Sequence, residues 1–278
     1  MKRALAAHSI HDSWRLLASC CGLVAAFICL RVWIASHIKF DAFVKIFSEG
    51  LKFFQGLLPV PIEDLASPLG RVAFSFEEFP TLVLMGLWTV ARGTECIVGR
   101  VGDGTMEMLL AQPIRRASLI GTHALVTLSG VAALSVAAWL GCAAGMAIAD
   151  FDAPPELTAL VPAAFNYLGF GVFMLGVTTL ISAVARTRSQ AVGIVIGFYV
   201  VELTLMILGR LTDRLPWLDW FTVFSAYEPT LLTLGLSREP AGYWPLFWKY
   251  ALCLFGLGAV SLTAATAIFC RRDVPAPL

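Results

Sequence analysis

The residues that could do chemistry are a few charged side chains inside long apolar runs. Glu202 lies in the middle of the run Tyr199–Thr204, and a carboxylate at membrane depth often marks a functional site. Such a carboxylate could serve ion-coupled transport, or it could act as a hydrogen-bonded structural group between helices. Arg92 and Glu95 are three residues apart, a spacing that predicts an ion pair on one face of a helix.

The sequence holds no recognisable catalytic set. It lacks a His-Glu-x-x-His pair and a Gly-x-x-x-x-Gly-Lys-[Ser/Thr] phosphate-binding loop. The seven cysteines lie in or beside apolar runs without the spacing of metal ligands. We therefore expect no catalytic residue, no metal site and no cofactor in this chain, and no ATP hydrolysis by the chain alone.

The composition excludes a water-soluble protein. Hydrophobic residues make up 58% of the 278 residues and charged residues 14%, with a mean hydropathy of +0.79. Soluble domains have about 45–50% apolar and about 25% charged residues. A soluble enzyme, a nucleic-acid-binding protein and a disordered chain are therefore excluded, and a lipid bilayer is the expected surrounding.

Six apolar stretches are long enough to cross a bilayer, which needs about 20 residues in each helix. They cover approximately residues 16–35, 79–98, 119–148, 160–185, 190–209 and 246–270. We predict an all-α polytopic membrane protein in which residues 1–278 form a single transmembrane domain.

The distribution of charge predicts the orientation of the spans. Segments on the side of the two termini carry an excess of Lys and Arg, whereas the opposite segments carry an excess of Asp and Glu. Because short cytoplasmic segments are enriched in Lys and Arg, we expect both termini in the cytoplasm. The expected location is the cytoplasmic (inner) membrane.

Three segments outside the spans have recognisable patterns. Residues 1–15 are predicted to form a short interfacial helix, and residues 40–54 an amphipathic helix on the outer surface. Residues 210–245 are predicted to form short or re-entrant helices with aromatic side chains at the membrane interface. Those aromatic residues are Trp217, Trp220, Tyr227, Tyr243 and Trp244.

The loop between the second and third predicted spans should contain a short amphipathic helix. Thr105 is expected to cap this helix and Pro113 to end it. Met106, Leu109 and Leu110 would form its apolar stripe. Such a helix suits docking to a soluble partner, and the alternative is a helix that only anchors to lipid. The docking candidates are Gly104, Thr105, Met106, Glu107, Leu109, Leu110, Pro113 and Arg116.

This loop resembles a signature of type-2 ABC-transporter permeases. Residues Gly104–Arg116 match the pattern Gly-Thr-x-[Glu/Asp]-x-Leu-Leu-x-x-Pro-[Ile/Val]-x-Arg, and the six spans match the family's number. The resemblance implies that the loop is a coupling helix, which contacts a separate ATP-binding subunit carrying ATP and Mg²⁺. It also implies a second permease copy, as a homodimer or a heterodimer.

The leading hypothesis is therefore a permease subunit of an ATP-driven transporter. Export is implied by the resemblance, since most of the family exports, and the substrate stays open. Two alternatives remain at this point. One is a non-transporting membrane scaffold or sensor with the same fold, and the other is an ion-coupled carrier that uses Glu202.

Overall fold

A computed structural model describes residues 2–37, 60–112, 115–151, 153–211 and 222–271. All regular structure in these ranges is helical. The α-helices are α1 (Lys2–His37), α2 (Ile62–Leu65), α3 (Pro68–Ala73), α4 (Phe79–Thr94), α5 (Arg100–Gly102), α6 (Thr105–Leu110), α7 (Arg116–Ile148), α8 (Val161–Val184), α9 (Arg188–Leu211), α10 (Pro229–Arg238) and α11 (Pro240–Arg271). Three 3₁₀ turns (Phe74–Phe76, Leu157–Leu160 and Val223–Ala226) and one π-helical turn (Glu95–Gly99) complete the set.

Six of the helices, or helices with their adjoining turns, are long and apolar enough to cross a membrane. These candidate spans are Leu5–His37, Pro68–Gly102, Arg116–Ile148, Leu157–Val184, Arg188–Leu211 and Pro240–Arg271. The predicted all-α fold with six spans is confirmed.

The first span begins earlier than the sequence pattern suggested. Residues 1–15 are predicted to form an interfacial helix that leads into the first span, and in the structure they continue into it within a single helix, α1, from Lys2 to His37. The reason is local: residues 2–21 contain neither glycine nor proline, so nothing ends the helix before the apolar run. The predicted amphipathic helix at 40–54 lies outside the described residues, as do Pro113 and the stretch 212–221 with Trp217 and Trp220.

The bundle is built around α8, which packs against α4, α7, α9, α10 and α11. Small residues allow the closest helix contacts, as expected for membrane helices. In α8, a Cβ at Gly176 would overlap the backbone of Gly258 in α11. In α7, a Cβ at Gly141 would lie 2.8 Å from the carbonyl oxygen of Ala25 in α1. The first contact therefore holds α11 close to α8, and the second holds α1 close to α7.

Helix α9 lies at the periphery. The structure buries Ala191, Val195 and Glu202 of this helix. Gly193 and Gly197 lie on its open side, where an added Cβ would meet nothing within 4 Å. One long face of α9 is therefore uncovered by the described part of the chain.

The predicted aromatic segment, of which residues 222–245 are described, does not have all of its aromatic side chains at the surface. Trp244 is exposed, but Tyr227, which was expected at the membrane surface, is buried. Its hydroxyl donates a hydrogen bond of 2.6 Å to the carbonyl of Phe76. Burial raises the pKa of Tyr227 well above its usual value, so the hydroxyl keeps the proton that it donates. Tyr227 therefore joins the segment before α10 to the segment before α4.

Candidate functional site

The short helix α6 begins at a glycine in a left-handed conformation. Gly104 has a φ of +70° and occupies the N-cap position. Because this backbone conformation is strained for residues with a side chain, Gly104 permits the sharp change of direction after α5. Thr105 was expected to be the cap, but it is the first helical residue, and its hydroxyl donates to the carbonyl of Arg100 at 3.3 Å.

The two faces of α6 have different surroundings. Met106 is completely buried, and Leu109 and Leu110 are half-buried against the protein. Glu107 is exposed, and Met108 is 65% exposed. The predicted apolar stripe therefore holds the helix onto its own bundle. The exposed apolar side chain of Met108 was not part of the prediction, because the stripe was assigned from the spacing of apolar residues alone.

Met106 belongs to a cluster of side chains that we call the α6 cluster. The second, third, fourth and sixth spans contribute buried members to it, and the first span adds the partly buried Leu5. Its buried members are Cys96, Ile97, Met106, Leu119, Ile120, Ala183, Ala265 and Phe269. Since interiors are close-packed, a displacement of Met106 would disturb the neighbouring ends of several spans together.

The π-helical turn that follows α4 has an identifiable cause. The hydroxyl of Ser182 in α8 accepts a hydrogen bond from the Val98 amide at 3.1 Å and donates one to the Thr94 carbonyl at 3.2 Å. These two backbone groups would bond directly in an α-helix. Ser182 is therefore inserted into the hydrogen-bond ladder, a known source of helix distortion, just before the chain reaches α6.

Arg92 connects three helices above this turn and is only 2% exposed. Its guanidinium contacts Glu95 at 2.7 Å, so the two predicted partners do lie together. It also donates to the hydroxyl of Ser9 in α1 at 2.6 Å. Its carbon centre lies 5.9 Å from the ring of Trp88. This set of contacts compensates a buried charge with hydrogen bonds and a cation–π contact.

His123 in α7 completes the network and was missed in the sequence, where it is a single histidine in an apolar run. Its Nε2 lies 2.8 Å from the carbonyl of Arg92, and its Nδ1 lies 3.4 Å from the guanidinium. A carbonyl only accepts and a guanidinium only donates. The ring is therefore neutral, with its hydrogen on Nε2, and it ties α7 to α4.

Arg116 is turned toward the bundle. It is the first residue of α7, and its guanidinium carbon lies 5.9 Å from the ring centre of Phe269 in α11. This position links the end of the loop to the α6 cluster.

Glu202 lies well away from this end of the bundle. It is 7% exposed, in the half of α9 nearer to Leu211. Its carboxylate accepts a hydrogen bond of 2.8 Å from the amide of Val223, at the start of a 3₁₀ turn. The contact favours the structural interpretation over ion-coupled transport.

The described residues offer little for metal chemistry. Among them, no group of three or more His, Cys, Asp or Glu side chains is placed to hold a metal ion. The seven cysteines, all within the described ranges, are free thiols.

Comparison with known proteins agrees with this geometry. The family model described as ABC-2 family transporter protein matches residues 7–274, nearly the whole chain. A search among curated proteins found no match. Permeases of this family are membrane subunits without an ATPase site of their own, and they work with an ATP-binding subunit. The chain therefore belongs to the ABC-2 transporter family and is a multi-pass permease subunit of an ABC transporter.

Proposed function

We propose that this permease exports a substrate across the cytoplasmic membrane and is driven by a separate ATP-binding subunit that docks on α6. The observation that carries the proposal is the division of α6 into two faces. Glu107 and Met108 are exposed, while Met106 packs into the α6 cluster, which includes side chains from five spans. A partner that binds the outer face would therefore act on the spans through the inner face.

Transmission would follow the contacts around α6. Movement of the partner would displace α6 and, through the α6 cluster, shift the spans between two packing arrangements. The turn at Glu95–Gly99 is a suitable point for α4 to bend, because Ser182 already replaces one of its helical hydrogen bonds. The Arg92 network would move α1, α4 and α7 as one unit.

Two further partners belong to the proposal. ATP and Mg²⁺ would bind to the partner ATPase, since this chain lacks a phosphate-binding loop. A second permease copy, identical or related, would complete the translocation path. The open face of α9 with Gly193 and Gly197 supports such a pairing, because glycines four residues apart allow helices to approach closely.

The proposed orientation can be tested with single cysteines in a variant that lacks the native ones. Residue 103 lies in the turn before α6 and residue 237 in the last turn of α10; both are exposed, and they lie at opposite ends of the bundle. A membrane-impermeant thiol reagent should label a cysteine at 103 only from the cytoplasm and one at 237 only from outside. Labelling of both from the same side would contradict the arrangement.

The partner can be tested by purification of the tagged permease from its native membrane. We expect an ATP-binding subunit to co-purify, and its ATP hydrolysis to rise when the transported substrate is added. Mass spectrometry of small molecules retained by the complex would supply the candidate substrates. A stable complex whose hydrolysis responds to no retained molecule would favour the scaffold or sensor function instead.

A further inference from the structure

A groove runs between α7 and α11 at the end of the bundle that holds α6. Its volume is about 500 Å³, and it is open along one side. The two helices are antiparallel, so the start of α7 lies beside the end of α11. The groove begins at Ile120 and Cys270 and reaches Leu128 and Leu262.

The walls of the groove present mainly apolar groups, although two threonines lie among them. Gly121 leaves an opening, since a Cβ there would meet nothing within 4 Å. The hydroxyls of Thr263 and Thr266 donate to the carbonyls of Val260 and Leu262 in their own helix, both at 2.8 Å. The groove therefore presents methyl and methylene groups, which suit a hydrocarbon chain.

Basic residues stand at the α6 end of this groove. Arg116 lies one helical turn before Ile120, with its guanidinium over Phe269, and Arg271 directly follows Cys270 and is exposed. An apolar channel with cationic groups at one end matches a molecule with an acyl chain and an anionic headgroup. Basic residues near the cytoplasmic surface attract anionic lipids.

We propose that the groove binds one acyl chain of an anionic phospholipid, whose phosphate lies between Arg116 and Arg271. The side of the membrane on which the headgroup lies depends on the proposed orientation, whereas lipid binding in the groove does not. The lipid would contact Ile120, a member of the α6 cluster. Its presence would therefore stabilise the packing that holds α6.

Charge argues for lipid over a second copy of the chain in this groove. A symmetric dimer brings the same surface of both copies together. Pairing through this groove would bring Arg116 and Arg271 of one copy toward the same residues of the other. Like charges in such an interface oppose association, whereas the headgroup of an anionic lipid carries the opposite charge.

The test is lipid binding to the full-length, delipidated permease in detergent, measured by native mass spectrometry. Dioleoylphosphatidylglycerol and dioleoylphosphatidylcholine are titrated separately. Wild type should bind the anionic lipid about tenfold more tightly. The variant Gly121→Trp, which fills the groove, should lose most of the binding of both lipids. Gly22→Trp is the matched control, because Gly22 also faces open space but lies in α1, and it should bind like wild type.

A second pair of variants tests the headgroup site without changing the groove. Arg116→Gln with Arg271→Gln should abolish the preference for the anionic lipid and leave the phosphatidylcholine affinity unchanged. Arg186→Gln with Arg188→Gln, two exposed residues just before and at the start of α9, should keep the preference. Equal lipid binding by all variants would overturn the proposal, as would loss of dimer instead of lipid in Gly121→Trp. Because no ATPase is present, these results are independent of the proposed function.

Discussion

Two loops lie at the same end of the bundle, and they are built differently. The loop after the second span contains α6, whose Met106 is buried in the α6 cluster. The loop after the fourth span, residues 185–187, closes on itself. There the Thr187 hydroxyl accepts from the Gln190 amide at 3.2 Å, and the Gln190 side chain accepts from the Arg186 amide at 3.0 Å.

The difference bears on the proposed transmission of movement from the partner through the first loop. Both loops are exposed and contain charged residues, but the second satisfies its own hydrogen bonds, as in a helix cap. Its hydrophobic contact is a small cluster of Val98, Ala185 and Ala191. The first loop combines an exposed outer face with an inner face whose Met106 packs in a cluster that includes side chains from five spans. Of these two loops, the first joins an exposed helical face to the larger part of the bundle, which is what the proposed docking requires.

The largest expected effect is that of Met106→Asp, which disrupts the buried face of α6 in the first loop. A carboxylate would replace an apolar side chain without exposure, and the loss of stability should be about 3–5 kcal/mol. We expect a lower unfolding temperature in detergent and loss of ATPase capture. Met108→Asp, on the exposed face of the same helix, should leave the unfolding temperature unchanged. Equal destabilisation by both variants would contradict the assignment of the two faces.

A smaller effect is expected for Gly104→Ala. The left-handed conformation at this position costs an alanine about 1–2 kcal/mol, so thermal unfolding of the variant should occur at a lower temperature. Gly102→Ala is the matched control, because Gly102 is helical and faces open space. Its stability should be unchanged or slightly raised. A neutral Gly104→Ala would show that α6 can begin without this turn.

The smallest effect should come from Glu202→Gln, at a site remote from both loops. The amide oxygen of Gln can still accept the hydrogen bond from Val223, and hydrogen bonds within membranes contribute about 0.6 kcal/mol on average. We expect nearly unchanged folding, assembly and transport rate. A variant that assembles normally but transports much more slowly would assign Glu202 a direct function in transport.

The sequence predicted the six spans because long apolar runs need no tertiary information. It also predicted the Arg92–Glu95 contact, since both residues lie on one helix. Ser182 and His123 escaped prediction for the opposite reason. Each acts on a backbone group of another helix, and nothing in their own neighbourhoods in the sequence indicates that partner.

Within the single helix α6, some features could be predicted from the sequence and others could not. The position of the helix followed from Gly104 and from the apolar spacing, but the cap was assigned to Thr105 because the left-handed turn could not be foreseen. Spacing also gave Leu109 and Leu110 the same weight as Met106. Their different burial depends on how the ends of five spans meet, which local sequence does not encode.

The central claim, that the outer face of α6 binds the ATP-binding subunit, is tested most directly by pull-down with Glu107→Arg. Wild-type and variant permease, each tagged and solubilised in detergent, are titrated with the ATPase. A charge reversal in a desolvated contact should cost about 2–5 kcal/mol, so affinity should fall by at least tenfold. Arg188→Glu, a charge reversal at an exposed residue that directly follows the second loop, should bind like wild type. Equal recovery with Glu107→Arg and wild type would contradict the docking role of Glu107.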